Sequence, residues 1–240
     1  TISGMIKDKY CPTDILMLLI NCVTAGMNFV IGGEPGSRKT EFVKFLMQFI
    51  PLEKRVITIE DSLEIHYSEI NPDADAVELR VGEDFSYTDA IKACLRQNPI
   101  WLVLSEARSV EVTSLIEQWS TGVNGITTIH LDDLRKLPDR IENMMNDVND
   151  ASRLENRIYR YVNVGVLIRR EKEADGGIRR YIDQMCFYVR EEHKNRVYML
   201  VEDGEIISRK IPADIAKRLK LAGIDEFFWC DLDPFIKRGM

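Results

Sequence analysis

"VIGGEPGSRKTEF", residues 30–42, sets a glycine-rich turn between a short apolar run and a segment with helical spacing. In a strand–turn–helix of this kind, backbone N–H groups converge on a phosphate and the helix N-terminus adds its positive end. Gly33, Glu34, Pro35 and Gly36 supply the turn, and N–H groups through Ser37, Arg38, Lys39 and Thr40 face the ligand. Lys39 is placed to bridge the β- and γ-phosphates of a nucleotide, and the Thr40 hydroxyl to reach Mg²⁺. The pattern asks for glycine immediately before the lysine, and Arg38 stands there. An arginine keeps the N–H donor and is expected to hold a helical φ. Its side chain then either swings outward or lays its guanidinium on the phosphates.

Working outward, residues 13–25 read as a helix, with Leu16, Leu19, Ile20 and Val23 on one face and Gly26 at its end. "MNFVI" is a buried strand leading into the turn, and "KTEFVKFLMQFI" a helix closed by Pro51. Further strands follow at "RVITIE", at "AVELR" inside an irregular acidic segment, at "IWLVL" and at "GITTI". Helices are expected at about 87–97, around Val112, Leu115, Ile116 and Trp119, and from near Asp132. Continuous apolar strands alternating with helices indicate an α/β fold with a mostly parallel sheet covered on both faces. After about residue 150 the pattern changes. "VNVGVLIRR" and "RRYIDQMCFYV" flank the turn "EADGG", and "NRVYMLV" and "EIISRKI" flank "EDG", which predicts an antiparallel, hairpin-rich extension. A short helix spans Pro212 to Ala222, and the aromatic tail "DEFFWCDLDPF" packs on its own domain or on another subunit. The division expected is a nucleotide-binding core over 1–150 and a hairpin and helix extension of the same domain over 151–240.

Three more strand ends carry chemistry. "ITIEDSLEI" puts Glu60, Asp61 and Glu64 just beyond a strand, on the edge where α/β sheets deliver ligand-binding groups. "NPIWLVLSEAR" ends in Glu106, with Arg108 two residues on; an acid at such a position holds Mg²⁺ or polarises the attacking water. "STGVNGITTIH" ends at His130, able to sense a γ-phosphate by hydrogen bonding. Taken singly, each has a plain structural reading. Together they bring suitable residues to one edge.

The 240 residues carry a formal charge of −7, which argues against a protein whose main task is gripping nucleic acid. The basic clusters "IRREK" and "GIRRY" read as solvated strand ends. Five widely spaced cysteines without a C-x-x-C pair favour reduced thiols over disulfides or a zinc site. The stretch "ILMLLINCVTAGMNFVI" is too interrupted to span a bilayer. Because the chain begins with Thr1, it is expected to be a piece of a longer protein.

"GGEPGSRKT", "ITIEDSLEI", "LVLSEARS" and "STGVNGITTIH", in this order and spacing, resemble the four signature boxes of the type II/IV secretion (traffic) ATPases. The branch most similar serves Flp/Tad pili and conjugative or type IV secretion. The resemblance is strong over about residues 1–150. It implies a RecA-like P-loop ATPase domain preceded by a separate N-terminal domain, with ATP and Mg²⁺ between the two. It also implies homo-hexameric rings, peripheral on the cytoplasmic face of the membrane, that work with inner-membrane secretion or pilus platform proteins. Carried over box by box, Lys39 and Thr40 serve the phosphates and Mg²⁺, Glu64 is the general base and Glu106 the strand-end acid that also serves the metal. His130 ends the His box, and Arg96 and Arg108 match arginines that contact phosphate or a neighbouring subunit. Ser105 stands where an aspartate is usual, and Val123 where many members have His. A motor that hydrolyses ATP is the leading reading. A catalytically weak ring component, suggested by Arg38, is the second, and a RecA-like DNA motor, disfavoured by the acidic balance, the third.

Overall fold

The computed structural model describes residues 2–144 and 151–236. Along the chain they form α1 (Ile2–Lys7), α2 (Thr13–Thr24), β1 (Phe29–Gly33), α3 (Lys39–Met47), β2 (Val56–Glu60), α4 (Tyr67–Ile70) and β3 (Ala76–Arg80). Then come α5 (Tyr87–Cys94), β4 (Trp101–Leu104), α6 (Glu111–Ser120), β5 (Asn124–Ile129), α7 (Leu137–Glu142) and α8 (Ala151–Tyr161). The remainder is β6 (Val164–Lys172), β7 (Ile178–Glu191), β8 (Lys194–Glu202), β9 (Glu205–Ile206), α9 (Ala213–Leu221) and α10 (Asp233–Ile236).

All the strands lie in one sheet of order β3-β2-β4-β5-β1-β6-β7-β8-β9. The strands from β3 to β6 in that order are mutually parallel, and β7, β8 and β9 add on antiparallel. Alternate residues of each strand enter two separate cores. Phe29 and Ile31 of β1, Trp101 and Val103 of β4, and Val164 and Val166 of β6 meet α2 and α3 on one face. Val30, Leu102, Leu104 and Leu167 meet α5, α6, α7 and α8 on the other. Each fully buried side chain of this size stabilises the fold by about 1.5–3 kcal/mol, which is why the central strands are apolar throughout.

The edge where the parallel strands begin is held by one buried side chain. Asn28 Nδ2 donates to the Tyr161 carbonyl at 2.7 Å, its Oδ1 accepts from Gly125 N–H at 2.9 Å, and its own N–H donates to Asn163 Oδ1 at 2.9 Å. Asn28 thus ties the starts of β1, β5 and β6 together. Asn28→Ala leaves the Gly125 N–H and the Tyr161 carbonyl without partners, and is expected to cost about 2–4 kcal/mol in urea unfolding. A loss under about 1 kcal/mol would show that the clasp is dispensable.

The structure departs from the sequence-based expectations in several places, among them the short helix α4 inside the segment expected to be irregular. The segment near Asp132 begins with a 3₁₀ turn, Leu134–Lys136, before α7. The second hairpin is short: β9 holds two residues, because Arg209 forks onto Asp14 Oδ2 at 3.0 and 2.7 Å and draws the chain towards α2. Helix α8 lies where no element was expected; its Leu154 and Ile158, four residues apart, pack into the second core within a strongly charged segment. Helix α1 is likewise additional. The aromatic tail packs on its own domain: Phe235 meets Phe49 edge-on at 4.9 Å, and Asn21 Nδ2 donates to the carbonyls of Phe227 and Trp229 at 2.9 and 2.7 Å. Among the described residues no helix is long and apolar enough to cross a membrane.

Candidate nucleotide site

Strands β2, β4, β5 and β1 are consecutive in the sheet and parallel, so the residues after each arrive at one edge. A cleft of about 430 Å³ opens there, lined by Pro35, Gly36, Arg38, Lys39, Thr40, Asp61, Glu64, Glu106, Arg108 and His130, among others.

The loop between β1 and α3 is set by two glycines. Gly33 has φ 151°, and a Cβ there would stand 2.6 Å from the Ile168 carbonyl oxygen and 2.6 Å from Ser37 Oγ. Gly36 has φ 78° with the Arg170 guanidinium against its face. Ser37 is buried beneath the turn, and Glu34 is exposed on it.

Arg38 corrects the expectation of a helical φ. It sits at φ 64°, ψ 43°, the left-handed conformation for which the pattern's glycine is suited. The geometry is forced because the chain must leave the tight turn and enter α3 within one residue. A left-handed L-residue costs about 1–2 kcal/mol. Arg38→Gly is therefore expected to raise the unfolding free energy by about 1 kcal/mol, read from denaturant midpoints at unchanged slope. An unchanged or lower midpoint would mean that the Arg38 side chain compensates for its backbone.

Lys39 is buried, and its Nζ donates to the carbonyls of Gly33 at 3.0 Å and Glu34 at 3.2 Å and approaches His130 Nδ1 at 3.3 Å. Burial lowers its pKa from the usual lysine value, while Glu106 and Glu34 act in the opposite direction. From Lys39 an unbroken polar chain crosses the cleft. His130 Nε2 lies 2.7 Å from Glu106 Oε1, Arg108 Nε and Nη2 lie 2.7 and 2.6 Å from Glu106 Oε2, and Arg108 Nη1 lies 2.9 Å from Asp61 Oδ2. Glu106 favours a proton on Nε2, and Nδ1 then has the lysine as a donor and the Gly33 carbonyl as a non-bonding neighbour, both at 3.3 Å.

The acidic loop after β2 divides its labour. Glu60 is fully buried, and its Oε2 accepts from the N–H groups of Glu64 at 2.9 Å and Ile65 at 3.0 Å. Burial raises its pKa, and those two N–H bonds work against the shift. Glu60 therefore shapes the loop, while Asp61 and Glu64 face the cleft, Glu64 with no hydrogen-bond partner for its carboxylate among the described residues. Thr40, at the start of α3, lines the same space.

Arg96 is not brought to the cleft of its own chain. It is exposed in the 3₁₀ turn Leu95–Gln97, at the edge where β4 begins, a strand's length from the residues that follow β4. Three residues at the site were not found by sequence reasoning. The Tyr87 hydroxyl accepts from Asp61 N–H at 3.1 Å and pairs with Ser105 Oγ at 3.1 Å, linking the acidic loop to the residue before Glu106. Arg170 and Arg180, inside the two basic clusters read as solvated strand ends, border the glycine turn. Nothing local in the sequence joins residues 36 and 180.

Comparison with known proteins agrees with this geometry. The profile of the family described as type II/IV secretion system protein matches residues 9–166, more than half of the chain. An uncharacterised protein of Bacillus anthracis is 37% identical over 146 residues, covering 60% of this chain and 33% of that one. The type IV secretion system protein VirB11 of Brucella suis is 29% identical over 187 residues, covering 72% of this chain and 51% of the relative. The solved Brucella suis VirB11 ATPase, in complex with sulphate, superposes with a TM-score of 0.64 at 25% identity, over 78% of this chain and 54% of that one. The chain thus spans a third to about half the length of these curated relatives. The profile match, carried on a parallel sheet whose four strand ends converge on a glycine-rich loop, makes this chain a member of the type II/IV secretion system protein family.

Proposed function

We propose that this protein is a Mg²⁺-dependent ATPase that acts as a motor subunit in secretion, pilus assembly or conjugative transfer. The observation that carries the reading is the polar chain Asp61–Arg108–Glu106–His130–Lys39, strung across the cleft above the glycine-rich turn. ATP is the substrate: its phosphates enter the loop 33–40, with Lys39 turning from the carbonyls of Gly33 and Glu34 to the β- and γ-phosphates. Glu64, free in the cleft, takes the proton of the attacking water as the oxygen bonds to the γ-phosphorus and the bond to the β-phosphate oxygen breaks. Glu106 favours the His130 tautomer that reads the γ-phosphate, and Arg108 offers charge to it from the far wall.

The donors suit Mg²⁺. Thr40 Oγ1 and the Glu106 carboxylate are hard oxygen donors on one cleft, and Mg²⁺ is commonly held by few protein ligands together with substrate phosphates; no group of three or more His, Cys, Asp or Glu that could hold a metal ion by itself occurs among the described residues. Thr40 would hold the ion, with Glu106 behind it, since both Glu106 oxygens already accept from Arg108 and His130. When bound, the ion neutralises charge on the phosphates. A homo-hexameric ring, peripheral at the cytoplasmic face of the membrane and docked on platform proteins, is the assembly proposed for the intact protein, with Arg96 exposed for a neighbouring subunit. The test is phosphate release from ATP by the intact protein. Turnover that chelation removes and Mg²⁺ restores is expected, and a protein that releases no phosphate under either condition refutes the proposal.

A further inference from the structure

A fifth strand end reaches the mouth of the cleft. β6 runs parallel to β1 on the side away from β5, so its C-terminal end passes the same edge as Gly33 and His130. β7 returns antiparallel and sets Arg180 directly opposite Arg170. Both reach the glycine turn. Arg180 Nε donates to the Gly36 carbonyl at 3.2 Å, and Arg170 Nη1 lies 3.0 Å from where a Cβ on Gly36 would be. Arg38 completes a group of three guanidinium side chains around one loop, and its charge, like that of Arg170, bears on Arg180.

Like charges facing each other across a strand pair are unfavourable. Three other arginines show what close compensation looks like. Arg169 meets Asp183 at 2.6 Å, Arg135 meets Glu202 at 2.5 Å, and Arg108 lies between Glu106 and Asp61. Arg170 has only the Glu34 carboxylate, at 3.8 Å and half exposed, and Arg180 has no ion pair among the described residues. Three guanidinium groups around one loop, with Glu34 as the nearest carboxylate and Asp8, Glu41, Glu173 and Glu205 further along the adjoining cavity, favour an anion carrying several charges. The loop these arginines touch is the one read above as the phosphate cradle.

We propose that Arg170 and Arg180, on the β6 side of the glycine turn and outside the lining of the cleft, bind the polyphosphate of a nucleoside triphosphate from across the turn, away from His130 and Glu106. The proposal rests on the ATPase reading. It gives the C-terminal hairpin a place in ligand binding. It also provides cationic donors beside a loop whose last glycine has become Arg38.

Calorimetric titration of the intact protein tests it, with a non-hydrolysable ATP analogue, inorganic tripolyphosphate and adenosine as probes. Arg170→Gln and Arg180→Gln are each expected to weaken the analogue and tripolyphosphate by about tenfold, and the double variant by about a hundredfold. Adenosine binding should change less than about twofold, and Arg180→Lys should recover part of the loss. The KM for ATP should rise more than kcat falls. Gln variants that bind tripolyphosphate as the parent does, while Lys39→Ala has lost it, overturn the proposal and leave the ATPase reading standing. So does an equal loss of adenosine, which would mark the arginines as props of the loop, or intact phosphate binding with failed ring assembly, which would mark a subunit contact. If Lys39→Ala also binds like the parent, the nucleotide reading itself falls.

Discussion

Glu106→Gln is expected to lower ATP turnover by the intact protein roughly 10²–10³-fold while the fold keeps its stability. Glu106 is the hub of the cleft: one oxygen meets His130 at 2.7 Å, the other accepts from Arg108 at 2.6 and 2.7 Å. Glutamine preserves the volume but presents an amide N–H₂ to one of two groups that are themselves donors. One contact therefore becomes donor against donor, and the anion that favours the proton on His130 Nε2 is gone. The Lys39 ammonium also loses a carboxylate that favours its charged form. Each of these acts on charge positioned in the cleft, where a fixed polar group counts for more than in water. The cleft is open, so water can solvate the orphaned donors, and the melting temperature should stay within a few degrees. Turnover above about a tenth of the parent's would show that Glu106 is a bystander.

Lys39→Ala is the second large effect, with kcat/KM for ATP down by roughly 10³-fold or more. In the structure this ammonium donates to the carbonyls of Gly33 and Glu34 beside His130, bonds that phosphate oxygens would accept in the carbonyls' place. It can exchange those partners without moving its backbone, which is fixed as the first residue of α3. Alanine removes the ammonium that sits among the loop's own carbonyls. The stability cost should be about 1–2 kcal/mol, because the Gly33 carbonyl is buried and loses its donor while Glu34 is exposed to water. Equilibrium binding of an ATP analogue, run beside the turnover assay, separates lost affinity from lost chemistry. Undiminished values in both would remove Lys39 from the site.

Much of this was legible in the sequence because it is local. A strand's apolar run and the residue that ends it are adjacent in the chain, so Gly33, Glu106 and His130 could be placed at a common edge once the strands were read as parallel. Glu64 followed from the same logic. What could not be read depends on partners far apart or on backbone geometry. The approach of Arg180 to Gly36 needs the return of β7, and nothing in "GIRRY" announces it. The left-handed backbone of Arg38 is imposed by the turn and runs against the residue's own preference. Glu60 looks like Asp61 and Glu64 in a string of letters. Only the packing shows that its side chain turns inward to hold the loop. Helix α8 was hidden because its apolar positions are few and its charges many.

β7 has a mechanical consequence. It is fourteen residues long, touches the glycine turn through Arg180 near one end, and reaches the turn at Glu192 and His193 beyond the other. From Arg180 to Arg190 it spans roughly 35 Å of extended chain. It is bonded to β6 on one flank and β8 on the other, so it resists stretching and shear like a tie rod set in a plate. At its far end Arg190 is bound to Asn156 of α8 and Asn195 of β8. One strand thus joins the glycine turn at Gly36 to α8 on the opposite rim of the sheet, through an arginine near each of its ends.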